Sequence, residues 1–395
     1  MKSLIGLGLA AALAAVFAPP SPAPGAPAPR RVAFIVDSWY PWSHADVIGT
    51  RFLQGYRVGD RSYASPVTIA SVYADAPAAR DQTRALASRY GFRAASSIAD
   101  ALLDDAQRPA PRLTADGVLI ATREDLPESG QRQSPMRRVQ VVREVLAILD
   151  RTGVRVPVFL DKMLAADWAD SQAIVVEAAR RNVPLMAGSV LPFAPLDRPL
   201  RAGRPEVGVV VASTPYWAFA FHAAELLQGF LEQRAARETG IHEIRNVGAG
   251  YASLPDRDRW GGAVFDALLA SARTRRRPGR PPADALLIRY ADGTRAVLAL
   301  VPEAFDDSEF LLGAQYADGT IATGGLVLGG QPYDHFGYLV HALVEFFTTG
   351  RPPVPVERTL LTTGIVLFGR QSAQNGAAVF PPLAIPYIPP RRSHP

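Results

Sequence analysis

The sequence predicts an α/β fold: a doubly wound, parallel-sheet N-terminal domain, then an α+β domain with a largely antiparallel open sheet. Three observations predict it. From Arg31 to about Val190, short β-branched runs alternate with helical stretches of ten or more residues, the pattern of a Rossmann-like parallel sheet with helices on both faces. Beyond residue 190, apolar runs crowd together in pairs joined by Asp292-Gly293 and Asp318-Gly319, and Asp-Gly between two such runs is a strong hairpin signal. Before residue 31 lie a cationic start at Lys2, the apolar run Leu4–Phe17 and a Pro/Ala-rich stretch. These mark 1–18 as a secretory signal peptide, cleaved after Ala18 or later, with an uncleaved anchor as the alternative. Residues 19–30 become a linker, the folded domains occupy 31–190 and 191–395, and the mature chain is expected to be periplasmic or secreted.

In chain order, "RVAFIV" (31–36) reads as a buried strand, followed by the polar, aromatic turn "DSWYPWSHAD" and the helical pattern 47–56. Strand 67–74, helix 77–91 ended by Gly91, short helix 98–104 and strand 117–122 follow. Helix 135–152, strand 156–161, helix 165–182 and strand 183–188 complete the alternation. In the second half, strand 206–213 precedes a strongly apolar helix, 216–234, then the two hairpins within 285–301 and 310–328, and a closing helix 335–348.

Composition narrows the function classes. The formal charge of +5 is spread thinly, and the densest basic run, "RTRRRPGRPP" (273–282), has no interleaved aromatic residues, so it reads as a solvated loop and no nucleic-acid partner is expected. With no cysteine, disulfides and thiolate metal sites are excluded. No segment after the signal peptide is apolar enough to span a membrane. The chain writes 40 of its 42 Lys+Arg as arginine, and Lys162, in "VPVFLDKMLAADW", is the sole lysine besides Lys2. Arginine substitutes well for lysine on a solvated face, so a lysine kept against such a bias points to a compact, titratable ammonium at work.

Several stretches carry a resemblance: "ALASRYGFRAASSIADAL", "DGVLIAT", "VFLDKMLAADWADSQAIVVEAARRNVPLMAGSVLPF", "FAFHAAELLQGFL" and "EFFTTGRPPVPVERTLLT". In order and spacing they resemble the Gfo/Idh/MocA family of nicotinamide-dependent sugar and polyol oxidoreductases. The resemblance implies NAD or NADP as cofactor, a small carbohydrate or polyol as substrate, and a homo-oligomer paired through the open sheet, unless helices cover that face. It gives Lys162 the place of the lysine that contacts substrate and nicotinamide, and His222 that of the acid/base. Two family positions are altered. The aspartate four residues before the histidine falls on Ala218, and the Glu-Lys-Pro turn has become Asp161-Lys162-Met163.

The cofactor signature is altered as well. A dinucleotide-binding first turn uses G-x-G-x-x-G for tight turning, close approach of the pyrophosphate and helix–strand packing. Those glycine positions fall on Val36, Ser38 and Pro41, with the anionic Asp37 among them and Trp39, Tyr40 and Trp42 adding bulk. The ribose-binding acid falls on Ala74, with Asp75 one place along, and Thr122 precedes Arg123, Glu124 and Asp125 where the family has no charge. Val36, Ser38, Pro41, Asp75 and Thr122 are thus the positions implied for the cofactor, and their residues do not suit an ordinary dinucleotide.

Asp161, Trp39 and His44 are the expected substrate contacts. Trp39, Tyr40 and Trp42 fit two roles, core plugs or a platform for a sugar ring. His222, alone on an apolar helix, reads without the resemblance as a satisfied core histidine. His44 with Asp37 and Asp46 reads first as helix capping by Asp37 or Ser43, and second as a carboxylate–imidazole cluster near Glu124 and Asp125. Tyr216, Trp217 and Trp260 are assigned to packing, and His335 with Asp334 to the cap of helix 335–348. Three functions remain open: an exported oxidoreductase-like enzyme with altered nicotinamide binding; a non-catalytic carbohydrate-binding or structural descendant; and a metal-assisted lyase or hydrolase, although no metal ligand set is assigned.

Overall fold

The computed structural model describes residues 28–124, 137–276 and 280–390. The signal peptide, most of the linker, Asp125 and the middle of the basic run lie outside these residues. Nine α-helices and fourteen strands are seen among them.

The N-terminal half contains β1 (Arg30–Val36), α1 (His44–Gln54), the short hairpin β2 (Tyr56–Val58) and β3 (Arg61–Tyr63), β4 (Val67–Ala74), α2 (Thr83–Tyr90) and β5 (Arg93–Ala95). It continues with α3 (Ile98–Leu102), β6 (Gly117–Ala121), α4 (Arg138–Thr152), β7 (Val158–Asp161), α5 (Trp168–Arg180) and β8 (Leu185–Gly188). The first sheet is wholly parallel in the order β5-β4-β1-β6-β7-β8. Strands buried on both faces explain the unbroken apolar runs: Val32 to Val36 and Val118 to Ile120 are all fully buried. Strand order reverses between β1 and β6, and in such sheets the crevice beyond the strand ends at that switch point receives ligands.

The second half contains β9 (Pro205–Ala212), α6 (Tyr216–Leu231), β10 (Ile241–Asn246), α7 (Gly262–Ser271), the hairpins β11–β12 (Asp284–Tyr290, Arg295–Leu300) and β13–β14 (Glu309–Tyr316, Ile321–Val327), α8 (Phe336–Thr349) and α9 (Val356–Asn375). Its sheet runs β10-β11-β12-β9-β13-β14, antiparallel throughout except for the β9–β12 pair. Both Asp-Gly turns join the hairpins as expected, with Gly293 and Gly319 at positive φ of 87° and 78°. The sheet is open at its ends, and neither face is bare. Val210, Leu298 and Leu300 pack with α6 and α9, while Val207, Val209 and Leu287 face Val264, Phe265 and Leu268 of α7.

Helices that follow the second sheet in sequence return to the first. Phe347 of α8 lies so close to Gly117 that a Cβ there would be 2.5 Å from its ring. Leu360 of α9 joins the core of the first sheet, and Leu361 and Ile365 join the larger core shared with the second. The halves therefore share packing beside a cleft at the carboxyl ends of β1, β6 and β7.

Candidate functional site

Three strand ends build the charged part of the cleft. Beyond β1 come Asp37 and Ser38, beyond β6 Thr122, Arg123 and Glu124, and at the end of β7 Asp161 with Lys162; with Tyr40 and His44 these line a cavity of about 270 Å³. Lys162 takes a left-handed backbone, φ 63°, and its N–H donates to Gly188 O at 3.0 Å, which turns its side chain out of the strand. Its Nζ lies 3.6 Å from Glu124 Oε1. His44 opens α1, and its Nδ1 stands 2.6 Å from Asp161 Oδ2. His44 is far from Asp161 and Lys162 in the sequence; the fold brings it to them.

Beneath this cluster lies Arg138, which is 1% exposed. It donates to the carbonyls of Asp161 (2.8 Å), Met163, Thr122 and Arg123 (3.3 Å), and lies 4.0 Å from Glu124 Oε1. Nothing in the sequence analysis singled it out. The available signal was the pair Arg137-Arg138 at the start of α4, since cations are disfavoured at a helix N-terminus unless something else holds them.

The electrostatics follow from this crowding. Burial pushes the Glu124 and Asp161 carboxyls up, but Lys162 and Arg138 beside Glu124, and His44, Lys162 and Arg138 beside Asp161, outweigh it and hold both below the usual range. Burial likewise disfavours the Lys162 ammonium, and Glu124 and Asp161 more than restore it. Lys162 is thus a charged donor at neutral pH. Asp37, 3.3 Å from Arg123 Nε, is raised chiefly by burial.

A second cavity, about 450 Å³, adjoins the first between the two halves, and His44 lines both. His222 on α6 and His335 at the start of α8 reach it. Burial, aided by the Lys162 ammonium, lowers His222 to about 3; burial, aided by Arg51, lowers His335 to about 4. Both rings are neutral at pH 7. His335 does not cap α8 through its side chain; Asp334 instead pairs with Arg51 at 3.5 Å. A histidine whose folded pKa is depressed favours the unfolded state once that state protonates. Stability should therefore fall as pH drops below about 6.5, by up to about 1.4 kcal/mol per pH unit for each such ring, until the folded pKa is reached. Comparing His222→Gln with the parent between pH 7 and 4.5 should show a shallower loss in the variant; parallel curves would contradict the assignment.

The positions implied for the cofactor separate. Ser38 and Thr122 line the charged cavity, whereas Val36, Pro41 and Asp75 do not. Val36 is fully buried in β1, Pro41 is exposed, and Asp75 accepts from Tyr73 Oη at 3.1 Å. Trp39 is not a substrate contact. Its indole is fully buried, stacked on Phe34 and Phe92 with centroids 5.9 and 5.8 Å apart, and its Nε1 donates to Asp46 at 3.0 Å. Gly49 on α1 yields the space, since a Cβ there would be 2.3 Å from the indole. Of the three aromatic residues in the turn, Trp39 is a core plug, while Tyr40 and Trp42 line cavities. Tyr216 packs as expected, donating to Val366 O.

These residues do not fit a dinucleotide. A pyrophosphate needs free amides and an uncompensated positive helix end after β1. Here the chain's own side chains take that place: Ser43 caps α1 and accepts from the amides of Tyr40 (3.2 Å) and Asp46 (3.3 Å), and Asp46 accepts from the Trp42 amide at 2.9 Å. Ser38 is tied to Asp81 at 2.7 Å and Asp37 borders the cavity. Nor do the residues form a metal cluster. Asp46 is spent on Trp39, Trp42 and Thr50, and among the described residues no group of three acidic or histidine side chains could hold an ion. Among them, too, no helix is long and apolar enough to cross a membrane.

No protein-family model matches the chain, and no curated protein matches its sequence. Solved structures do. A probable dehydrogenase from Thermotoga maritima is similar at 13% identity, with 88% of this chain and 98% of that one covered and a TM-score of 0.56. GenD2 from gentamicin A biosynthesis, solved in complex with NAD, is similar at 14% identity over 89% and 96% of the two chains, with a TM-score of 0.56. Scyllo-inositol dehydrogenase from Lactobacillus casei, solved with NAD(H) and scyllo-inositol, is similar at 12% identity over 90% and 99%, with a TM-score of 0.54. The resemblance read from the sequence is borne out at the level of architecture: the chain has the two-domain fold of Gfo/Idh/MocA-type dehydrogenases, a parallel Rossmann-like domain joined to a mixed, mostly antiparallel sheet.

Proposed function

We propose that the chain is an exported protein that binds a carbohydrate or polyol in the inter-domain cleft and has lost ordinary NAD(P) binding. One observation carries this reading. The end of α1, where a pyrophosphate would lie, is satisfied by Ser43 and Asp46, while the charged and imidazole groups deeper in the cleft stay in place. The fold's neighbours include a dehydrogenase holding scyllo-inositol, which supports a polyhydroxylated ligand.

What this chain's residues can do is orient a hydroxyl and move its proton. The Lys162 ammonium donates to the hydroxyl oxygen. Asp161 at Nδ1 favours the His44 tautomer that leaves Nε2 as acceptor, the orientation that an acid–base imidazole requires. With Ala218 in place of an acidic partner, His222 is a neutral imidazole able to accept or donate one hydrogen bond. The binding descendant is favoured over a hydride-transferring enzyme because Ser43 and Asp46 take up first-turn amides that a pyrophosphate would use.

The test is calorimetric titration of cyclic polyols and sugars into the mature protein and into Lys162→Arg. Arginine keeps the charge beside Glu124 but not the compact donor. Saturable heat is expected in the parent, weakened at least tenfold in the variant, with the thermal midpoint nearly unchanged. A destabilised variant that binds normally would make Lys162 structural, and no heat from any polyol would overturn the function.

A further inference from the structure

The second cavity differs in character from the first. Its walls are Trp42, Phe219, Phe310, Tyr333 and Phe336. No lysine or arginine lines it, and its one carboxylate, Asp307, accepts from Ser213 Oγ at 2.6 Å. An anionic ligand group would meet no cation there. A free polyol could lay one C–H face on a ring, but its equatorial hydroxyls would leave the remaining aromatic wall without an apolar partner.

Two of these aromatic residues are held in a costly backbone. Trp42 and Tyr333 have φ of 70° and 59°, a region that bulky side chains rarely adopt. With Lys162, three of the five non-glycine residues at positive φ among the described residues line this cleft. The surroundings enforce both conformations. Asp46 holds the Trp42 amide, and the Arg51 guanidinium donates to the carbonyls of Pro332 (2.9 Å) and Tyr333 (2.8 Å), pinning the "GGQPYDHF" segment to α1. The two rings meet edge to face, centroids 5.7 Å apart, and Trp42 is 43% exposed. An exposed indole fixed at this position is presented to a ligand, as core packing would require burial.

We propose that this cavity selects an uncharged glycoside bearing an apolar ring, an aryl glycoside in chemical class. The aglycone would pack against Trp42 and Tyr333, and a sugar hydroxyl would reach His44, His222 and Lys162. The inference rests on the proposed function and names the ligand class of the same site.

The experiment titrates the mature protein with matched pairs, phenyl glycosides against the corresponding free sugars and inositols, with phenol alone as a third probe. It follows calorimetric heat and the fluorescence of Trp42. The proposal expects phenyl glycosides to bind at least tenfold tighter than their free sugars, with fluorescence changes lost in Trp42→Phe. Trp42→Ala and Tyr333→Ala should each remove most of that preference, bringing phenyl glycosides to within about threefold of their free sugars. Free sugars binding as well as phenyl glycosides would overturn this inference and leave the proposed function standing. Phenol binding as well as its glycosides, with no sugar bound, would overturn both, as would no binding by any probe. Variants whose thermal midpoints collapse without altering the preference would make the two rings structural.

Discussion

Replacing Arg138 with methionine is expected to lower unfolding stability by about 3–5 kcal/mol, the usual cost of breaking a buried charged network from one side. The thermal midpoint should fall by roughly 4–7 °C for a chain of this length. Arg138 donates to four carbonyls at the ends of β6 and β7 and stands beside Glu124. Methionine fills comparable volume but satisfies none of them, and it leaves Glu124 and Asp161 with fewer compensating cations. Arg138→Lys should recover part of the loss, because one ammonium keeps the charge but cannot span carbonyls on two strands. Chemical denaturation of the three proteins checks this. A loss below about 1 kcal/mol for methionine would show that those carbonyls find other donors.

Trp39→Ala is expected to cost about 3–5 kcal/mol through the cavity it leaves between Phe34 and Phe92. A coupled result is more specific. Gly49→Ala alone should destabilise by about 1–3 kcal/mol, because its Cβ would press on the indole. In the Trp39→Ala background most of that cost should disappear, leaving only the milder approach to Phe34, 3.1 Å from the same Cβ. A double-mutant cycle measures that coupling directly. Additive losses would mean that Gly49 is required for some reason other than the indole.

The architecture was legible because burial and periodicity are local signals. "VTIASVYA" could only be a strand buried on both faces, and the two Asp-Gly pairs fixed the register of their hairpins. Elements held by tertiary packing were not legible. The short hairpin Tyr56–Tyr63 lacks a strand's length, and α7, apolar nearly all round, gave no face to read until it was seen covering β9 and β13. Within the site, Lys162 stood out by composition, and the missing glycines showed that the first turn had changed. What replaced them was not readable: Trp39 as a plug depends on Gly49 ten residues on, and the His44–Asp161 contact joins residues 117 positions apart. Arg138 was hidden because a buried arginine and a solvated one look alike in a sequence. Tyr333 was hidden because its left-handed backbone is imposed by Arg51, far away in the chain.

In the proposed function, the chain's own side chains take the place of the dinucleotide. The most direct test is to record the absorbance of the purified mature protein for bound nicotinamide and then titrate NAD(H) and NADP(H) calorimetrically. The account predicts no nucleotide absorbance beyond that of the protein and no saturable heat up to millimolar ligand. Co-purified nicotinamide, or saturable binding below that range, would contradict it.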